Sequence, residues 1–295
     1  MNYANLHLHS IFSDGIYTPA QLCAIAKQKG YGAIAVADHN TTTGVLHMQK
    51  AAQEAGMETI TGMETYAHGF GAAFHILAYD FDVNAPCMKA YVAHQEEIAY
   101  ELTRRRVDYC IAQGYFSGIT WQDVLDAFPD GGWLCNEQVF ATLQKKHGLD
   151  DKAYYEFVRH FNRAPIDDHD LKQAQSLSCE NMFDIIREAG GVVVLAHPHR
   201  QTQYLPDLMK IGLGGVEACH PDIDEQDERE ARAFAKAHRL YTTGGTDHTG
   251  LMGNNMKRGN GEENEPGGPL IPYNADVSHG ATKEEFDALK ARIYG

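Results

Sequence analysis

Seven short runs along the chain read as buried strands, each bounded by turn signals: 4–10, 33–39, 58–66, 73–81, 192–197, 215–220 and 240–246. Continuous apolar runs of strand length suit strands covered on both faces, as in parallel sheets. Between the runs, apolar positions fall at helical spacing. Thr18 followed by Pro19 predicts a capped helix start, with Gly30 and Gly32 ending that helix. A second helix is predicted over 44–55 and closed by Gly56. Strand alternating with helix predicts a parallel sheet flanked by helices. Seven such units predict a closed cylinder, so the expected fold class is α/β, a distorted seven-stranded (β/α)7 TIM-like barrel with an inserted helical subdomain.

The alternation breaks once. Residues 86–177 show helical periodicity and no clear strand, with helices predicted at 88–112, 121–127, 137–147 and 151–161. The expected organisation is therefore a barrel from 1–85 and 178–295, with 86–177 inserted. A second irregular stretch, 251–282, is rich in Gly, Asn and Pro. Loops that long are usually functional or mobile, and this one follows the last strand, so it should overhang the C-terminal face. No apolar run approaches the roughly 18 residues of a membrane span. Met1-Asn2-Tyr3-Ala4 has neither the basic nor the apolar part of a signal peptide. The expectation is a cytoplasmic protein with no membrane partner.

Charge narrows the partners. Forty acidic residues against 25 Lys+Arg give a net charge of −15. That balance argues against an electrostatic grip on long nucleic acid. It leaves room for a phosphorylated substrate if bound cations supply the local positive charge. The six cysteines contain no CxxC pair and read as reduced, mostly buried thiols.

The 16 histidines matter for where they fall. His7-Leu-His9 ends the first run, and residues two apart on a strand face the same way. Ser13-Asp14-Gly15 follows in the next turn. Later runs carry Asp38-His39, Glu64, His75, His197-Pro198-His199, Glu217 with His220, and Asp247-His248. Every predicted strand thus delivers His, Asp or Glu at or near its C-terminal end, and in a barrel those ends share one face. Any one of these histidines could be a satisfied core residue. The whole set points to a metal centre, and mixed imidazole and carboxylate ligands suit Mn, Fe or Zn.

In order, His7-x-His9, Ser13-Asp14-Gly15, Asp38-His39, Glu64, His75, Ala196-His197-Pro198 and the Asp247 segment resemble the PHP (polymerase and histidinol phosphatase) family. The resemblance covers the barrel but not 86–177. It implies a cluster of two or three divalent metal ions. One would take His7, His9 and Asp247, with Glu64 bridging to a second held by His75 and His197. A third would take Asp14, His39 and a histidine of the last motif. That motif is Asp-x-His in the family, whereas Asp247 and His248 are adjacent here, so His248 reaches a metal only where the backbone has turned. Asp38 would orient neighbouring groups.

Arg200 is the candidate phosphate clamp, since a guanidinium can fork two phosphate oxygens. Lys257 and Arg258 could close over a second phosphate from the long loop. His199 and His220 are candidate proton donors to a leaving group. Glu217 could face the mouth or pair with a neighbour. Arg104-Arg105-Arg106, beside Glu101 and Asp108, reads as a solvated helix face. Residues 222–230 read as an acidic run favouring a helix start. The expected function is metal-dependent hydrolysis of a small phosphate ester by a metal-bound hydroxide. Nucleotides, sugar phosphates and cyclic phosphodiesters all fit. The alternatives are a 5′-to-3′ exoribonuclease on short RNA and a metal-dependent amidohydrolase. Oligomeric state is not legible.

Overall fold

The computed structural model describes residues 2–165, 176–248 and 279–294. Strands β1 (Ala4–Asn5), β2 (Ala33–Ile34) and β3 (Glu58–Thr59) pair in parallel as a three-stranded sheet. A six-stranded sheet is formed by β4 (Gly62–Gly69), β5 (Ala72–Tyr79), β6 (Leu177–Ser178), β7 (Val192–Leu195), β8 (Gly215–Cys219) and β9 (Tyr241–Gly244). Its spatial order is β6-β4-β5-β7-β8-β9. The fold is mixed α/β.

Two features differ from the sequence expectation. First, the strands are not all parallel: β5 runs antiparallel to both β4 and β7. Only Phe70 and Gly71 separate β4 from β5, at φ 52° and 78°. Two positive-φ residues make the tight turn that matches strand twist, whereas a parallel return needs a crossover of about a dozen residues. Second, the ladders form two sheets rather than one closed cylinder. The run 58–66 is broken between Thr59 and Gly62, so its halves belong to different sheets.

Backbone hydrogen bonds join the sheets at two seams. At one, Glu64 N–H donates to Ala37 O (3.1 Å) and Asn40 N–H to Glu64 O (2.8 Å). At the other, Leu6 N–H donates to Gly244 O (3.1 Å) and Thr246 N–H to His7 O (3.2 Å). A Cβ on Gly245 would lie 2.3 Å from that of His7, so only glycine permits this approach. Between the sheets lies a core of small and branched residues, including Leu6, Ala35, Leu77, Val194 and Ala196.

Helix α1 (Pro19–Gln28) starts as expected, with Thr18 accepting from Gln21 N–H in a capping box. Helix α2 (Thr43–Ala55) ends on Gly56 in the left-handed conformation. Helices α3 (Pro86–Ala112), α4 (Trp121–Ala127), α5 (Asn136–His147) and α6 (Ala153–Phe161) follow β5, with no strand among the described residues between 86 and 165. Along α3, Met88, Tyr91, Val92 and then Ile98, Leu102, Val107 are buried at helical spacing. Its first half packs on the main core (Met88, Tyr91, Val92). Its second half joins a separate cluster with Val139, Phe140, Phe157 and Phe161. Helices α7 (Cys179–Glu188), α8 (Leu205–Lys210), α9 (Glu225–His238) and α10 (Lys283–Lys290) complete the described elements.

Arg104 and Arg105 pair with Glu101 at 3.1 and 2.7 Å, as a solvated face should. Arg106 departs from that reading, because its guanidinium lies over the Phe161 ring, 5.6 Å from the centroid. All six thiols are unbridged. Among the described residues, no helix is long and apolar enough to cross a membrane. Lys257, Arg258 and residues 249–278 of the long loop lie outside the described residues.

Candidate metal centre

Glu64, on β4 and 1% exposed, stands where the two sheets meet. Its carboxylate faces five imidazoles. Oε2 lies 3.3 Å from each of His7 Nε2, His9 Nε2 and His39 Nδ1. Oε1 lies 2.8 Å from His75 Nδ1 and 3.2 Å from His197 Nε2. His7 and His9 follow β1, His39 follows β2, and His197 follows β7. His75 departs from the strand-end pattern, lying fourth along β5. Because β5 is antiparallel, its first half reaches the rim where the parallel strands end. Register places His75 opposite Tyr66, two residues from Glu64 on the same face of β4.

Asp247 and Asp14 extend the cluster. His9 Nε2 is 2.9 Å from Asp247 Oδ1, and His9 Nδ1 is 3.0 Å from Asp14 Oδ1. His39 Nε2 is 3.8 Å from Asp14 Oδ2. Overlapping donor groups result, each with ligand atoms within 4.8 Å of one another, among them His7/His9/Glu64/Asp247, Glu64/His75/His197, His9/Asp14/His39 and His7/Glu217/His220.

These residues fit divalent metal ions. His7 Nε2, His9 Nε2, His39 Nδ1, Glu64 Oε2 and His220 Nε2 are buried without hydrogen-bond geometry to any partner. Each such atom costs about 1–3 kcal/mol, and these five converge on one place. A shared cation satisfies several of them together. The local field agrees. Burial alone disfavours a charged His7, yet Glu217, Glu64 and Asp247 outweigh it and hold His7 up at about 10. His9 is likewise raised, by Asp14 above all against its burial. Against its own burial, Glu64 is held well below the usual carboxylate range by His39, His7 and His75. Burial dominates at His39 and His220, pushing them down to about 4 and 3. Neutral imidazole is the ligating form.

Surrounding groups fix the candidate ligands. Both Glu217 oxygens lie 3.1 Å from His7 Nδ1, which turns Nε2 toward Glu64. Glu217 Oε2 also accepts from His197 N–H at 2.9 Å. The Asp38 carboxylate is hydrogen-bonded by two serines. Its Oδ1 accepts from Ser10 N–H (2.6 Å) and Ser13 Oγ (2.7 Å), and its Oδ2 from Ser10 Oγ (2.7 Å), so it braces the loop that presents Asp14. Asp247 has φ 49°, so the backbone turns there, and His248 is in none of the donor groups named above. His248 is buried with its ring stacked on Tyr17, centroids 6.2 Å apart.

Of the candidate substrate and proton-transfer residues, His199 and Arg200 stand further out. His199 Nδ1 lies 2.8 Å from Asp227 Oδ2, and Asp227 Oδ1 accepts from Arg200 N–H at 3.2 Å. Arg200 is exposed, at φ 52°. His220 is buried in the cluster, its ring 5.0 Å from that of His197.

Comparison with known proteins places this arrangement. A phosphoribosyl 1,2-cyclic phosphate 1,2-diphosphodiesterase of Eggerthella lenta is 30% identical over 254 residues, 84% of this chain and 95% of that protein. The PHP domain family model matches residues 5–127. The chain belongs to the PHP family of metal-dependent phosphoesterases. A 5′-3′ exoribonuclease of Haemophilus influenzae is 28% identical over 82% of this chain and 88% of its own length. The solved structure of a Bifidobacterium adolescentis protein, provisionally assigned as a metal-dependent phosphoesterase, has the same fold. Its TM-score is 0.72 at 23% identity, covering 99% of this chain and 96% of that one.

In this PHP chain, the sequence left Glu217 undecided and gave no sign of Asp227, Ser10 or Tyr66, whose hydroxyl lies 3.2 Å from His39 Nε2. A carboxylate inside the apolar run 215–220 is a signal that a buried partner awaits it. Asp227 carries no such signal, since an acid in the first turn of α9 is expected for the helix dipole alone.

Proposed function

We propose that the chain hydrolyses a small phosphate ester, with a cyclic phosphodiester or a nucleotide or sugar phosphate as substrate. Glu64 carries the reading: its two oxygens face separate imidazole sets, as a bridging carboxylate does. His7, His9 and Asp247 would hold one divalent ion, His75 and His197 a second, and Asp14, His39 and His248 a third. Mn, Fe and Zn suit these donors. Divalent ions held there supply positive charge to phosphoryl oxygens and acidify water at neutral pH.

The remaining steps belong to side chains. Glu217 keeps His7 Nδ1 engaged so that Nε2 faces inward. Asp227 holds His199 by Nδ1, leaving Nε2 for a leaving-group oxygen, while His220 is the inner candidate for that role. Arg200 would fork phosphate oxygens at the mouth, joined by Lys257 and Arg258. The sheets and their seams, 1–85 with 178–295, form the catalytic barrel in this reading, and 86–177 the inserted unit. Coverage of 95% of the Eggerthella lenta protein supports a cyclic phosphodiester. Similarity to the exoribonuclease over most of its length supports short RNA as the second reading.

A metal-reconstituted sample should be assayed on a cyclic ribose phosphate, nucleoside phosphates, a chromogenic monoester and an oligoribonucleotide. Turnover of the small esters is expected. Turnover confined to the oligomer would transfer the assignment to the exoribonuclease, and inactivity on all four with metals bound would overturn both.

A further inference from the structure

The Asp14 side of the centre is held from outside the sheets. The loop bearing Asp14 is bracketed by Gln138 of α5, which is 1% exposed. Gln138 Nε2 donates to Ile11 O at 3.0 Å and to Ser13 O, while its Oε1 accepts from Cys135 N–H at 2.8 Å. Trp133 N–H donates to Phe12 O at 2.9 Å. Gly132 sits at φ 112°, where a Cβ would lie 2.5 Å from Phe12 O. The loop after His39 is held by α3. Tyr91 OH donates to Asn40 Oδ1 at 2.6 Å, and Thr41 Oγ1 to Glu96 Oε1 at 2.5 Å. The Trp133 indole lies 5.5 Å from the His39 ring. By contrast, Glu64 and His75 lie within β4 and β5, and His197 follows β7 after Ala196, whose N–H donates to His75 O at 3.1 Å.

We infer that the helices of 86–165 template the Asp14–His39 metal position, with Gln138 and Tyr91 as its positioning residues. The inference rests on the three-position reading above. Loops are entropically free unless tied down, and an ion must find Asp14 and His39 already converged. Removing the bracket should therefore weaken one position and spare the two others, which are held by the β4–β5–β7 strands and by the backbone seam between His7 and Asp247. Groups that orient metal ligands typically contribute about 10–100-fold to affinity.

The test uses the full-length, metal-free chain and Mn²⁺ alone. Free Mn²⁺ is counted by electron paramagnetic resonance during titration, and bound metal by elemental analysis after desalting. Gln138→Glu keeps the carbonyl-type acceptor for Cys135 N–H and removes the donor to the loop. Tyr91→Phe keeps the ring and removes the hydroxyl. Each variant is expected to bind its weakest ion at least about tenfold less tightly, with the two tighter ions unchanged. Circular dichroism melts of the metal-free forms establish that both variants fold. A variant that fails to fold is replaced by Gln138→Met, which preserves volume. Three ions bound with unchanged affinities in the folded variants would overturn the inference alone, as would equal weakening of all three. A wild type that holds fewer than three ions would overturn the three-position reading and the inference with it.

Discussion

The two sides of the candidate metal centre are built by different means. Glu64 and His75 stand inside a long antiparallel ladder, and His197 follows a strand paired on both sides. Their spacing is set by sheet geometry, which varies little. Asp14 stands on the loop after β1, oriented by Asp38, Ser13 and Gln138, none of them on a strand. His39 is intermediate: a backbone bridge ties it to Glu64, and the chain then turns at Asn40, φ 51°. The ladder side needs little beyond correct register to converge. The loop side needs side-chain hydrogen bonds, and so exposes the centre to change in distant helices.

The largest expected effect lies at the junction of the two sides. Glu64→Gln should remove ions from both and lower kcat/KM about a thousandfold or more, equivalent to several kcal/mol. Elemental analysis beside steady-state kinetics checks both. Full metal content in that variant would show that Glu64 bridges nothing. Asp14→Asn comes next. One ion should be lost while two remain, with kcat down about a hundredfold; loss of all three would mean the two sides are not separable. Glu217→Gln should weaken metal at the His7 side by about thirtyfold, since Nδ1 loses an anionic partner. Competition titration with a chelator reads that change. The smallest effect belongs to Arg200→Ala: metal content unchanged and KM raised about tenfold, matching the loss of one charged phosphate contact. Unaltered kinetics there would remove Arg200 from the substrate site.

What the chain discloses by itself follows the same division. His7-x-His9 is legible because strand alternation puts both rings on one face. Thr18 and Gly56 are legible as helix ends because caps depend on local chemistry. The direction of β5 is not, since an apolar run carries no arrow, and Gly69-Phe70-Gly71 lacks the Asn-Gly signature of a two-residue turn. That omission placed His75 at the wrong end of its strand. The break between β3 and β4 falls at Ile60-Thr61, and Thr61-Gly62 carries no proline or Asn-Gly signal that would divide 58–66 into two strands. Gln138 is hidden more deeply. It meets Ser13 across 125 residues of sequence, and a glutamine in an amphipathic helix predicts only solvent. Long-range polar contacts of this kind leave no periodic trace.

The bridging role of Glu64 is tested most directly by anomalous diffraction from a crystal of the full chain loaded with Mn²⁺. The account predicts strong peaks on both sides of the Glu64 carboxylate, one within ligand reach of His7 and His9 and another within reach of His75 and His197. A single peak, or peaks that leave Glu64 uncoordinated, would contradict it.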